Sequence, residues 1–116
     1  MYLCFMLESV GIPQALTSMT TRSRAPIEKC LRDYSVDIET WSPRMAETHM
    51  TLGSRQDLHA QRAQMSDLQR AELARVDALA VAAYASVRDG EDPYDDIRAL
   101  GEIVAIIEAE RINATA

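Results

Sequence analysis

This chain should fold as an all-α protein. Its centre is an antiparallel helical hairpin over about residues 67–88 and 94–112, preceded by a shorter helix near 54–65 and a partly irregular N-terminal arm. Three observations carry that expectation. Apolar residues recur at helical spacing through the second half of the chain. Helix start and stop signals bracket both long runs. The connection between the runs is a few residues long, which favours antiparallel neighbours.

The first long helix opens at Ser66, with Asp67 in the first turn and Gln69 three residues on, the pattern of a capping box. Leu68, Leu73, Val76, Leu79, Ala80, Ala83, Tyr84 and Val87 then fall within an arc of roughly 160° at 100° per residue. Arg88, Asp89 and Gly90 close it, Gly90 being suited to a positive φ. The second helix restarts at Asp92 as N-cap and Pro93 at the first helical position, with Asp95 and Asp96 in the first turn. Its apolar set is Ile97, Leu100, Ile103, Val104, Ile106 and Ile107, an arc of about 180° that frays near Arg111 to Asn113. The two spans are about 33 Å and 28 Å long, so they match as neighbours. Gly101 sits mid-helix at a cost of about 1 kcal/mol relative to Ala and marks a close approach if it has a role. Ser54 with Asp57 resembles a weaker start for the shorter helix.

The character of the chain changes near residue 45. Residues 1–44 carry five basic and five acidic side chains, so the net charge of -6 lies entirely in 45–116. The same stretch holds both cysteines, the single Phe and Trp, and three of the four prolines. Two organisations fit. Residues 1–44 form an arm with a short helix from Pro26 to about Tyr34, presenting Ile27, Cys30, Leu31 and Tyr34 on one face; or the natural start is Met45 or Met50 and the arm is an extension. Residues 1–24, including Gly11, Pro13 and the polar run Thr17 to Arg24, are expected to be peripheral, so that their removal shifts the thermal midpoint by a few degrees only. If they are not, Tyr2, Leu3, Phe5 and Leu7 complete the core.

Composition excludes several classes. With 116 residues, 47 % hydrophobic, the chain makes one modest domain and is too apolar for a wholly disordered one. Its pI near 4.8 argues against direct nucleic-acid binding, which needs a basic face. The apolar start, Met1 to Leu7, is far short of the ~20 residues of a membrane span and lacks the basic n-region of a secretory signal. Two cysteines, Cys4 and Cys30, read as reduced thiols of a cytoplasmic protein.

No catalytic or cofactor signature emerges. His49 and His59 lack the pairing of a helical metal site, and four dispersed glycines with one lysine make no phosphate loop. The acidic run Asp89, Glu91, Asp92, Asp95, Asp96 lacks the ligand order of a calcium loop and reads as an interhelical turn with capping acids. Glu72 falls inside the apolar arc of the first long helix, either as a buried carboxylate with a functional or pairing role or, the simpler account, at the arc's edge, paired with Arg75 or facing solvent. Trp41 is an anchor, either for a partner or for the arm itself.

The functional expectation follows from the width of the apolar arcs. A two-helix contact covers roughly 100° of each helix, so something else must cover the rest. The expected protein is a small non-enzymatic interaction module, an accessory, regulatory or inhibitory subunit. It binds a protein partner or a second copy through Ile103, Ile106, Ile107, Leu79 and Ala83, with Ile103 and Ile106 outside the hairpin seam. Two alternatives stand beside it. One is an acidic mimic of nucleic acid, using Asp89, Glu91, Asp92, Asp95 and Asp96 against a basic groove. The other is a small helical enzyme.

Overall fold

The computed structural model describes residues 25–115. Among them are four α-helices and no strand: α1 (Ile27–Glu39), α2 (Thr48–Ala60), α3 (Asp67–Val87) and α4 (Asp96–Thr115), with a 3-10 turn at Arg62–Gln64. The all-α class is therefore as expected. None of these helices is long and apolar enough to cross a membrane.

The α3–α4 hairpin is present. Ala74 and Ala78 share one cleft with Ile107 and Ala114, while Val87 and Gly90 share another with Ile97, so the two helices run antiparallel. At the start of α3 the Ser66 hydroxyl accepts from the Gln69 amide, and the Gln69 side chain accepts from the Ser66 amide. This satisfies two donors that the first turn leaves orphaned. The second helix starts later than expected, at Asp96. Asp95 adopts a left-handed backbone (φ 63°), which breaks the helix that Pro93 would otherwise begin. Asp92 still caps it from outside, its two oxygens accepting from the amides of Ile97 and Arg98 at 2.7 and 2.9 Å. Gly90 has no positive φ; α3 ends through ordinary right-handed geometry at Arg88.

Two further helices close the unit. α1 packs on α2 and α3, and α4 packs on α2 and α3, so the four form a ring. α1 follows the expected face and extends it: Cys30, Leu31, Tyr34 and Ile38 are buried. They share one hydrophobic cluster with Leu58, Met65, Leu73, Val76, Ala80, Leu100, Ile103 and Ile107. The compositional change near residue 45 thus does not coincide with a break in the core. Each large aliphatic chain enclosed this way is worth about 1.5–3 kcal/mol. The shorter helix begins at Thr48 rather than Ser54, and Ser54 lies in its interior. Gly101 does mark a close approach, but by a side chain: a Cβ there would meet the Tyr84 ring at 3.0–3.1 Å. The expectations for Cys4 and residues 1–24 fall outside the described residues.

Candidate functional site

The least expected feature is a charged centre inside the ring. Arg55 of α2 is completely buried. Its Nε and Nη2 donate to Asp77 of α3 at 3.0 and 2.9 Å, and its Nη1 and Nη2 donate to Glu110 of α4 at 3.1 and 2.7 Å. Tyr34 of α1 donates its hydroxyl to the same Asp77 oxygen at 2.6 Å, and its ring lies 5.9 Å from the Arg55 guanidinium. Glu110 also meets His59 Nδ1 at 2.6 Å and Arg62 Nε at 3.3 Å. All four helices therefore contribute to one hydrogen-bonded network. A planar guanidinium with five donors is the side chain that can grip two carboxylates at once.

The electrostatics are balanced by contact rather than by solvent. Burial opposes the charge on Glu110, but hydrogen bonds from Arg55 and His59 outweigh it and hold its carboxyl below the ordinary range. Burial also opposes the Arg55 charge, and its bonds to Glu110 and Asp77 overcome that, so the guanidinium stays protonated. Burial pushes the Tyr34 hydroxyl well above its ordinary value, and Asp77 beside it adds to the rise, so Tyr34 serves as a donor only. A cleft of about 470 Å³ adjoins the centre, walled by Ala74, Ala78, Val81 and Ile107 with Asp77 and Glu110 at its base. Both carboxylates are already committed to Arg55, which fits them for holding helices in register. Among the described residues no group of three His, Cys, Asp or Glu side chains is placed to hold a metal.

A second polar clasp sets the start of α2. Asp96 is almost fully buried and accepts from the Ala46 amide, the Thr48 amide and the Thr48 hydroxyl at 2.9, 3.2 and 2.6 Å. Burial alone would raise its pKa; these bonds overcome it and hold the carboxyl low. Trp41 donates its indole N–H to the Thr48 hydroxyl at 3.0 Å, so it pins the α1–α2 connection to the bundle. The first amide of α2, that of Thr48, is thus met by a residue 48 positions away. No local pattern announces that, which is why Ser54 looked like the start.

The third feature is the outer stripe of α3. Leu68, Glu72, Arg75, Leu79, Ala82 and Ser86 recur at alternating spacings of four and three, so they lie along one line of the helix. Leu68 is 84 % exposed and Leu79 41 % exposed. Between them Arg75 donates to Glu72 at 2.7 and 3.0 Å, to Glu39 of α1 at 2.8 Å and to Ser35 at 3.3 Å. The bond from Arg75 holds the Glu72 carboxyl below its ordinary range. Glu72 is therefore the surface partner of Arg75 that its position suggested.

The residues expected to face a partner divide. Ile103 and Ile107 are buried within the single chain, Ile103 completely. That corrects their assignment to an interface: α1 and α2 cover the part of the hairpin that its wide apolar arcs leave open. Ile106 and Ala83 are half-buried, and Leu79 remains open to solvent. The acidic set divides too. Asp89, Glu91 and Asp95 are exposed, Asp92 spends both oxygens on the α4 cap, and Asp96 is not on the surface at all. His49 and His59 are exposed on α2.

Arg55, Asp77 and Glu110 were missed, although a signal existed. Asp77 and Glu110 each continue an apolar line at helical spacing, Leu73–Asp77–Ala80 and Ile103–Ile107–Glu110, and Arg55 stands between Thr51 and Leu58 on a mixed one. A charge on each of three inner lines is the mark of a buried network, legible only when the three are considered together.

A ring of four helices around a buried ion network, with Leu68 and Leu79 exposed along the outer line of α3, defines this protein structurally among the described residues. No protein-family model matches the chain, and no curated protein or solved structure matches it either.

Proposed function

We propose that the chain is a small, acidic, non-enzymatic protein-interaction module, and that the outer stripe of α3 is its docking surface. The observation that carries this reading is Leu68, 84 % exposed and in line with Leu79 on a helix whose inner face is already spent on the core. Leucines set along a narrow line on the outside of a helix suit a seam against another helix. The buried centre supports the reading indirectly: it gives α3 a rigid backing, and ordered elements bind at lower entropic cost. The mimicry alternative has less to draw on, because Asp92 and Asp96 are committed to backbone amides. An enzymatic reading would have to be built on the exposed His59 beside an already neutralised Glu110. A buried Cys30 thiol suits action in a reducing, cytoplasmic setting.

The test is site-specific photocrosslinking in the native cell. A benzoylphenylalanine at position 68 or 79 should yield a protein adduct on irradiation, and the same group at the exposed Glu102 of α4 should not. Absence of an adduct at both stripe positions in correctly folded protein would overturn the proposal.

A further inference from the structure

The α3 stripe has a property that selects its partner. We infer that it is self-complementary and pairs two copies of this chain, with their α3 helices antiparallel about a dyad between Leu73 and Ala74. This rests on the docking surface proposed above and names what docks there.

A two-fold axis across an antiparallel helix pair sets each residue opposite another at equal distance on the far side of the axis. The midpoint of Leu68 and Leu79 falls between residues 73 and 74. The midpoint of Glu72 and Arg75 falls at the same place. One axis therefore sets Leu68 opposite the partner's Leu79 and Arg75 opposite the partner's Glu72, and each relation occurs twice. Leucines meet leucines at both ends of the overlap, and opposite charges meet at its centre. Moving the axis by half a heptad toward the C-terminus would set Arg75 against the partner's Leu79. A parallel pair would set Arg75 against the partner's Arg75 and Glu72 against the partner's Glu72. Both alternatives bring like charges together or cover an arginine with an apolar chain.

The details of Arg75 suit this pairing. Its Nε and Nη2 are engaged within the chain, and among the described residues Nη1 donates to no acceptor. The partner's Glu72 already accepts from its own Arg75 at both oxygens, so the pairing joins the two intrachain ion pairs into one four-membered cluster across the axis, with the Arg75 Nη1 donors added to it. Glu72 and Arg75 are 41 % and 48 % exposed at their side chains, so both reach the surface where the partner would lie. The overlap from Leu68 to Leu79 spans about 16 Å. Two helices touching over that length fall short of the ~1,200 Å² that stable complexes bury. The dimer is therefore a weak one, populated in the micromolar range or above, and it suits a reversible module.

Register-specific disulfide formation tests this. In the full chain carrying Cys4→Ser, with Cys30 left buried, Leu68→Cys and Leu79→Cys are made separately. Both positions are exposed, so both variants should keep the wild-type helical signal. In the proposed dimer each new cysteine lies about 16 Å along the helix from its own copy, too far to bridge, but faces the other variant's cysteine. Under mild oxidation the mixture should give at least ten-fold more cross-linked dimer than either variant alone. No cross-link in the mixture, or equal cross-linking in the single variants, would overturn the inference. Sedimentation supplies the second arm: Glu72→Arg and Arg75→Glu should each weaken self-association at least ten-fold, and the double exchange should restore it. A double exchange that stays monomeric would also count against the pairing. If these arms fail while positions 68 and 79 capture a different protein in the cell, the interaction module stands and its partner is heterologous.

Discussion

Arg55 dominates at the scale of single residues. A buried ion network is a poor source of net stability, because desolvation opposes its Coulomb gain, yet removing one partner leaves uncompensated charge. Arg55→Met should therefore destabilise the protein by about 3–5 kcal/mol in urea unfolding. Replacing Arg55, Asp77 and Glu110 together by apolar residues of similar volume should recover most of that loss. A triple variant as unstable as the single one would show that the network contributes more than mutual neutralisation. Glu110 of this network and Asp96 of the α2 clasp set the acid limit. Glu110 and Asp96 have folded pKa values below their ordinary 4.5 and 3.8. Their contribution is complete above those values and is lost as pH falls through the lower, folded ones. The urea midpoint should thus be steady from pH 7 to 5 and decline below about 4.5. Ala46 is the other residue of note. It holds a left-handed backbone (φ 61°) so that its amide can reach Asp96. Ala46→Gly should stabilise by about 0.5–1 kcal/mol, since glycine adopts this conformation without the Cβ clash.

Among the elements, α3 packs on α1 and α4 through its inner side and exposes Leu68 and Leu79 on its outer line. Leu79→Pro would remove a backbone donor and clash with the preceding turn, costing at least ~3 kcal/mol, and should abolish the helical signal at 222 nm. On α4, Ile103 separates two accounts of the hairpin. Complete burial within one chain means that Ile103→Glu should unfold the monomer rather than dissolve an assembly. A well-folded, merely monomeric Ile103→Glu variant in circular dichroism and sedimentation would contradict the packing described above.

For the whole molecule, the ring of helices explains how a chain with 5 % aromatic residues builds a core. α1 and α2 supply the cover that the hairpin lacks, and Tyr34, Cys30 and Leu58 fill the space between them. The consequence for function is that the inner apolar arcs are unavailable to a partner. Among the large apolar side chains that stay exposed, Leu68 and Leu79 share one line of α3 with Glu72 and Arg75 between them, whereas Val36, Met50, Tyr94 and Ile112 lie on other elements.

The helical hairpin could be read from residues alone because its causes are local. The Ser66–Gln69 capping box, the acid caps near Asp92 and the 3.6-residue recurrence of apolar side chains act within a turn or two of chain. The pairing of Glu72 with Arg75 was legible for the same reason. The start of α2, the enclosure of Ile103 and the Arg55–Asp77–Glu110 network depended on tertiary structure. The polar links among these join residues far apart in sequence: 22 positions from Arg55 to Asp77, 48 from Thr48 to Asp96 and 55 from Arg55 to Glu110. In a single sequence a charge on an apolar line has no visible partner, and burying it would be prohibitive until the fold delivers one.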